Sequence, residues 1–594
     1  MKKQLFIALT LIIFTITGFA QQKLPTLNIN SSEIIEKAQE MDFSEAKEIL
    51  LTIPLGDTLY NTAQMMLGKL HTNNKQYEEA LKYCMWILEH PNSKVSEKDI
   101  IPTMAECYYY LNDYNTAIFY FNKALEYFPY KAHLHNNLAQ CYMQLEMTTK
   151  AEEHLILAIR CEPFNNSFHY QLALTYLKQR QTIPALLALN FASYCEPSHN
   201  VTLSALQLLD EIYTKGTEVF YEENKIPMPD NINQHERFME IEMLINSNFA
   251  ISSKFKAKTK IKHILPYQNQ LLFEMLPTPN NSNNIVNLLY IPLFKKIVEE
   301  NYSDFCYYQL QETDVEDGKV RKKALKMSEN LTKFVYATYP FALQQVSKGI
   351  NIKESETSRV FEYEYQGALS AFGESRSEVN GKYRYDGLWH VLKEDGSLKL
   401  IGEIKNNINH GITTLYHNSK IIERLRLQND TLEGRSYRFF DGDTNLIETA
   451  EDYQHGEING ERIRKNRYGI TTEISQFKDN YFHGLRLQYS NNGTLTDSTD
   501  YNEGFVNKFS YLFYENGKIE AQYNTELTDQ LVQHFYPNGA LAAEEYFVDG
   551  IVTGNHKAYY ANGKLKSVGN YNELGNKDGY WTSYYRNGET QTET

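Results

Sequence analysis

The sequence predicts a two-part chain, an N-terminal all-α helical-repeat solenoid followed by a C-terminal all-β sheet of stacked hairpins. Two periodicities carry that fold class. Between residues 98 and 200 small and aromatic residues recur every 34 positions without a gap. From Phe361 onward the apolar period is two, and Asn-Gly recurs at nearly even spacing, at Gly493, Gly517, Gly539, Gly563 and Gly588. Length agrees: 594 residues exceed the ~250–300 that one hydrophobic core sustains, so two or three domains are expected.

The first element is not part of the fold. Lys2 and Lys3 precede an apolar run from Leu5, and the small residues Gly18 and Ala20 stand at minus three and minus one of a cleavage point. Residues 1–20 therefore read as a secretory signal peptide, and the run is shorter than the ~20 residues of a spanning helix. No Cys follows Ala20, so nothing suggests a lipid attachment. The expectation is an exported chain without a transmembrane segment after cleavage, periplasmic or at the surface or exterior of a Gram-negative-type bacterium.

The helical repeats occupy residues 21–215. Three units align without gaps: Ala105, Tyr108, Ala117, Phe121, Ala124, Pro129; then Ala139, Tyr142, Ala151, Leu155, Ala158, Pro163; then Ala173, Tyr176, Ala185, Leu189, Ala192, Pro197. Small residues at these places let two antiparallel helices approach, aromatic and Leu side chains fill the space between them, and Pro closes the second helix. The spacing resembles the tetratricopeptide repeat. A degenerate unit with Gly68 and Ala80 precedes these three and carries three extra residues. Helices over 33–39 and 44–51 would cap one end and residues 200–215 the other. Cys107 and Cys141 are separated by one full repeat, as are Cys161 and Cys195. Equivalent places on neighbouring repeats are too far apart for a disulfide, so these cysteines read as small buried hydrophobes.

Residues 216–350 show helical periodicity, as in FMEIEMLI and VNLLYIPLFKKIVEE, and form a mostly helical segment of no recognised family, with about four helices after residue 234. Within it KFKAKTKIK places lysines at every second position from Lys254 to Lys262. A strand would gather them into a basic ribbon; a solvated surface is the preferred reading. Polar residues 351–360 read as a linker.

Residues 361–594 read as β-hairpins. Nine turn positions align, at Gly396, Ser419, Gly442, Gly469, Gly493, Gly517, Gly539, Gly563 and Gly588, and Asn-Gly points to type I′ turns. A second glycine stands nine residues before most of them, as at Gly387, Gly460, Gly484, Gly554 and Gly579. Paired aromatics before the turn, Phe513 and Tyr514, Phe535 and Tyr536, Tyr559 and Tyr560, Tyr584 and Tyr585, would let one ring of each pair stack on its counterpart in the next hairpin. Over about residues 380–590 the motif resembles the MORN-variant repeat of bacterial proteins labelled YwqK-family antitoxins, which implies a stacked-hairpin sheet. The units at Ser419, Gly442 and Gly469 depart from it by lacking Asn-Gly. An exported chain would not meet a cytosolic toxin, so the antitoxin role is not carried over.

The net charge is −15, of which −10 falls after residue 350; nucleic acid is not an expected partner. The sequence holds no P-loop, no G-x-S-x-G and no H-E-x-x-H, and no catalytic residue, metal ligand or cofactor is assigned. Carboxylate pairs such as Glu544 with Glu545 and Asp441 with Asp443 read as solubility charges. His133 and His135 would point about 200° apart on a helix, which disfavours a metal pair. By the tetratricopeptide resemblance the first helix of each pair lines a binding groove. The matching places are Asp99, Glu106, Tyr109, Tyr110, His133, Asn136, Asn137, Gln140, Gln144, Tyr170, Gln171 and Lys178, amides and aromatics suited to a peptide. The family's carboxylate clamp is absent: Asn137 matches, but Pro102, Glu106, Ser167 and Gln171 fill the other four places. The bland alternative is a groove packed against residues 216–350 of the same chain.

These readings point to an exported, non-enzymatic scaffold that holds a protein partner in the helical groove. Two alternatives stand beside it. One is a glycan or envelope-polymer binder using sheet aromatics, with Trp389 and Trp581 both seven residues before a turn glycine. The other is an enzyme with its site in 216–350.

Overall fold

The structure is a computed structural model that describes residues 30–90, 95–196, 200–228, 236–252, 254–279, 284–316, 318–347, 350–351, 358–364, 367–377, 383–524, 530–548 and 551–593. The signal peptide expected at 1–20 and Pro197 lie outside the described residues. The chain divides into two compact units, one running to Ala124 and including Asn137–Met147, the other Leu125–Asn136 with Thr148–Thr594.

The first unit is helical. Ser31–Glu40 and Phe43–Leu50 form the first pair, with Asp42 capping the second helix by accepting from the Ser44 and Glu45 amides. Tyr60–Asn73, Tyr77–Glu89 and Glu97–Tyr110 follow, the last opened by a capping box between Ser96 and Asp99. Ala63, Leu67, Ala80, Ala105, Ala117, Phe121, Ala124 and Ala139 are fully buried, as the repeat pattern requires. A Cβ on Gly68 would stand 3.2 Å from Cys84 Sγ, so this small residue sets the approach of Tyr60–Asn73 to Tyr77–Glu89. The turn inside each repeat has one backbone solution. Lys75, Asn112 and Glu146 adopt φ of 60°, 62° and 59°, and the next amide reaches back five residues, Gln76 to His71, Asp113 to Tyr108 and Met147 to Tyr142, which closes the helix in a Schellman motif. Arg180 in the second unit does the same at φ 55°, with Gln181 donating to the Tyr176 carbonyl.

In the second unit the helices Thr148–Cys161, Asn166–Lys178, Thr182–Cys195 and Asn200–Lys215 continue the pattern, with Ala151, Leu155, Ala158, Ala173, Ala185, Leu189 and Ala192 buried completely. Residues 216–347 are helical as expected, with Thr217–Glu223 first and then, after residue 234, more pieces than the four expected: Met239–Asn246, Ile264–Met275, a run from Val286 to Gln309 containing two π-helical turns, Lys319–Lys326 and Ser328–Ser347. Together with the helices Asn166–Lys178 and Asn200–Lys215 this segment covers Thr182–Cys195, and residues 182–194 are all buried. The interface is polar at its centre. Asn190 Nδ2 and Tyr213 OH donate to Asn269 Oδ1 at 2.9 and 2.8 Å, and Gln309 Nε2 donates to Asn190 Oδ1 at 3.0 Å and Ser193 Oγ at 2.6 Å. The lysine run Lys254–Lys262 is neither strand nor helix; Lys258 pairs with Glu274 at 2.9 Å while Ile261 is buried, so no basic ribbon forms. None of the six cysteines forms a disulfide, and burial pushes the Cys84, Cys141, Cys161 and Cys306 thiols up to about 12.

The sheet begins earlier than expected. Ile350–Asn351 pairs with Ser358–Tyr363, so part of the stretch read as a linker is strand, and residues 352–357 fall outside the described ones. From there an antiparallel meander runs to Thr590–Glu593, 22 strands among the described residues, each paired with the next in sequence. One departure occurs where Lys420–Gln428 pairs with both Thr431–Leu432 and Gly434–Phe439.

The turns correct the sequence reading in kind. At Gly517, Gly539, Gly563 and Gly588 only the glycine has positive φ, 76°, 87°, 82° and 95°; its amide bonds back three residues, as Gly539 does to Tyr536 O, and the strand register slips beside it. These are type I turns closed by a G1 bulge rather than type I′. Each Asn sits at the third turn position and accepts from the residue two further on, as Asn538 Oδ1 does from the Ala540 amide at 3.0 Å. Two-residue turns with paired positive φ occur instead at the opposite end of the strands, at Asn406–Asn407, Asn429–Asp430 and Asp479–Asn480, and at Asn418–Ser419.

The expected ring stacking is also replaced. Tyr514, Tyr536 and Tyr560 are the first residues of their turns, and each phenol donates to the carbonyl that ends the corresponding strand of the next unit, Phe535, Tyr559 and Tyr584, at 2.8–2.9 Å. Asn516, Asn538 and Asn562 add side-chain bonds to Pro537, Ala561 and Arg586 carbonyls. Neighbouring hairpins are thus laced together at their turns, and interior turns carry two sets of such bonds where terminal ones carry one. Gly539→Val, which forces a β-branched residue into φ 87°, is expected to cost about 1–3 kcal/mol. Thermal unfolding followed by proteolysis near residue 540 should show it to be more damaging than Gly588→Val in the last turn; equal behaviour would mean independent hairpins.

The start of the sheet is seated on a helix–helix loop of the same unit. The Tyr130 amide donates to Gly396 O at 3.1 Å, and Ser419 Oγ donates to Tyr127 O. A Cβ on Gly396 would stand 2.7 Å from Lys131 N. Arg160, buried, lies over the Phe361 ring at 4.8 Å, and Tyr130 packs edge-on against Phe372 at 4.9 Å.

Candidate protein-binding surface

Within the first unit the groove residues form a tyrosine and amide surface. Glu106, Tyr109 and Tyr110 occupy i, i+3 and i+4 of Glu97–Tyr110 and so share a face. The Tyr109 hydroxyl donates to Gln140 Oε1 at 3.2 Å, joining this helix to the next repeat. Tyr109 packs edge-on against Tyr110 at 5.2 Å and near Tyr114 at 5.8 Å, while Tyr110 stacks on Tyr77 at 4.8 Å with planes 10° apart. Tyr110 is 54% exposed despite that stacking. Gln144 is exposed, and Asn137, Gln140 and Glu106 are half-buried. Burial holds the Glu106 carboxyl above the usual carboxylate range, opposed by the charge of Lys69. Burial likewise raises the Tyr109 phenol.

The remaining groove residues lie in the second unit. His133 is exposed, edge-on to Phe168 at 5.4 Å and 4.0 Å from Glu162. Asn136 is buried. Tyr170 and Gln171 are half-buried and Lys178 is exposed, so residues 216–347, which cover Thr182–Cys195, do not bury these three.

Sequence reasoning missed Lys69 and Tyr77. Lys69 follows Gly68 as Glu106 follows Ala105 and Gln140 follows Ala139, so alignment of the degenerate unit would have found it. It missed as well what the histidines do. His135 Nε2 donates to Pro129 O at 3.0 Å, and His169, at the equivalent place in the next repeat, donates to Pro163 O at 2.8 Å. With Nε2 carrying the proton, the neutral ring accepts at Nδ1, from His154 in one case and from the Tyr290 hydroxyl in the other, at 3.1 and 2.7 Å. These are ties inside the fold, not metal ligands.

The sheet tryptophans are not open platforms. Trp389 and Trp581 are 3% and 8% exposed and lie over Gly373 and Gly569, where a Cβ would come within 2.4 and 2.2 Å of the rings. Their indoles donate to Glu374 O and Asn570 O. Glu473 sits between Arg462 at 2.9 Å and Arg486 at 3.2 Å. Burial opposes its ionisation, but the Ser475 hydroxyl and the two guanidinium groups outweigh that and hold its carboxyl down at about 2. The Arg462 guanidinium also lies over Phe477 at 4.3 Å. The second unit also holds a cavity of about 490 Å³ lined by Tyr130, Lys131, Glu162, Lys393 and Glu394, with charges of both signs. No helix among the described residues is long and apolar enough to cross a membrane.

A model of the tetratricopeptide repeat matches residues 108–179, and a model of the MORN repeat variant matches residues 552–573. No curated protein sequence is significantly similar to the chain. Solved structures similar to it include MamA AMB-1, at 16% identity over 28% of this chain and 96% of that one with a TM-score of 0.25. MamA MSR-1 is similar at 17% identity over 28% and 92%, TM-score 0.25. A third is YrrB, described as a TPR protein with an unusual peptide-binding site, at 18% identity over 33% and 97%, TM-score 0.27. The helical pattern, the antiparallel hairpin sheet and the two matched models agree: this chain carries tetratricopeptide repeats followed by C-terminal MORN-variant repeats.

Proposed function

We propose that the chain is an exported, non-enzymatic scaffold whose tetratricopeptide helices hold a segment of a protein partner. The observation that carries this reading is the half-open surface of Tyr109, Tyr110, Gln140 and Gln144, on which rigid aromatic rings and amides stand together. Such groups give contact area at low entropic cost and satisfy a peptide backbone. Export rests on Lys2, Lys3, the apolar run from Leu5 and Ala20. The absence of catalysis rests on the lack of a motif and on the use of the buried polar groups of 216–347 to bond one another.

The test is affinity enrichment from cell-envelope extract with the full chain and with a Tyr110→Ala, Gln144→Ala variant, whose exposed changes leave the core alone. The wild-type chain is expected to retain a protein that the variant retains several-fold less. Equal retention by both, or none by either, would sink the reading.

A further inference from the structure

Glu106 is an unusual residue to find on a binding surface of tyrosines and amides. It is half-buried yet makes no ion pair among the described residues. The charge acting on it is that of Lys69, an exposed side chain on the preceding repeat that forms no ion pair with it. A carboxylate withdrawn from water without a partner costs free energy that the chain itself does not recover. Resting on the scaffold reading above, we infer that Glu106 is the seat of a cationic side chain, Lys or Arg, supplied by the bound protein segment.

Three features of the site fit that occupant. Glu106 shares its helix face with Tyr109 and Tyr110, and tyrosine rings attract cations through their faces. Tyr110 is fixed against Tyr77 and Tyr109 is fixed by Gln140, so the rings are in place before anything binds. The Gln140 amide oxygen, which accepts from Tyr109, has a second lone pair that can accept a remaining N–H of a guanidinium or ammonium. An acidic segment would meet Glu106 with like charge, and an apolar one would leave the carboxylate buried and unpaired, so both are disfavoured.

The experiment selects random dodecapeptides on the immobilised full-length chain and measures the best of them by fluorescence anisotropy. The selected peptides are expected to share one Arg or Lys. Replacing that residue by citrulline or norleucine should weaken binding at least tenfold, Glu106→Gln should weaken it as much, and the two changes together should cost no more than either alone. The peptide-side change leaves the protein untouched, so a folding defect in Glu106→Gln would not mask the result. Peptides that lose binding to Tyr110→Ala but need no cation, or that ignore Glu106→Gln, overturn this inference and leave the scaffold reading standing. Failure to select any peptide sensitive to Tyr110→Ala overturns both.

Discussion

Replacing Asn269 by Leu is expected to destabilise the helical part of the second unit by about 4 kcal/mol. Asn269 is fully buried, and its Oδ1 receives Asn190 Nδ2 and Tyr213 OH while its Nδ2 faces Gln309 Oε1 at 3.4 Å. A leucine of similar volume removes the shared acceptor and leaves two buried donors without it, each costing about 1–3 kcal/mol. The cost is not that of one contact but of stranding what surrounds it. The loss should therefore be strongly non-additive: Asn190→Leu together with Asn269→Leu should cost clearly less than the sum of the two single changes, because each strands groups that the other removes. Urea unfolding of the full chain, monitored by circular dichroism at the helical signal, reads both quantities. A loss under about 1 kcal/mol, or strict additivity, would mean that the polar cluster does not tie residues 264–309 to the repeats.

The repeat half of the fold was legible because its signal is written in the core. Ala105, Ala117, Phe121, Ala124 and their equivalents in the following repeats are conspicuous in sequence and buried in the structure, since close helix approach tolerates few residue types. Even the insertion in the degenerate unit reappears in the turn backbone, where the step from Lys75 to Asn112 is longer than that from Asn112 to Glu146. Residues 216–347 were legible as helices but not in their placement. The amides that dock them, Asn190, Asn269 and Gln309, have no spacing that relates them, because polar contact across an interface follows from tertiary geometry and not from any local period.

In the sheet, the positions of the turns were readable and their type was not. Asn-Gly is compatible with either turn, and what decides is the residue count across the strands, which here leaves room for a G1 bulge. The turn then moves Tyr536 from strand end to turn start and changes its partner from a ring to the Tyr559 carbonyl. Gly396 and Ser419 align with the other turn positions in sequence but are spent on the 127–131 loop, a difference that no repeat alignment could register. The candidate surface was found through the family's groove positions, yet the feature that makes Glu106 informative, partial burial with no ion pair among the described residues, exists only in three dimensions.

Acidification from pH 6.5 to 4.5 is expected to weaken the second unit by about 4 kcal/mol, shared nearly equally between His169 and His154. His169 is fully buried, donates from Nε2 to Pro163 O and accepts at Nδ1 from Tyr290, so it has no room for a second proton without losing the Tyr290 bond. Desolvation lowers its pKa from 6.5 to about 3, against the raising effect of the Pro163 carbonyl. His154 is lowered to about 4, first by burial and then by His135. A depressed histidine pKa means that the unfolded chain binds the proton first. Stability is therefore complete above pH 6.5 and falls as the pH drops towards the folded-state value. Carboxylates with ordinary unfolded values near 4 contribute little in this window, which isolates the histidines; Glu473, held at about 2, adds its own loss only below it. His169→Gln should lower stability at pH 7 through the lost ties to Pro163 and Tyr290, yet reduce the slope between pH 6.5 and 4.5 by about half, because the new side chain has no proton to take up in either state while His154 still titrates. Urea midpoints of both proteins at pH 7, 6, 5 and 4.5 decide the matter. If the wild-type midpoint is flat over this range, or if the variant keeps the wild-type slope, then His169 is not held neutral by the fold and its bond to Tyr290 is not what fixes residues 286–309 against Asn166–Lys178.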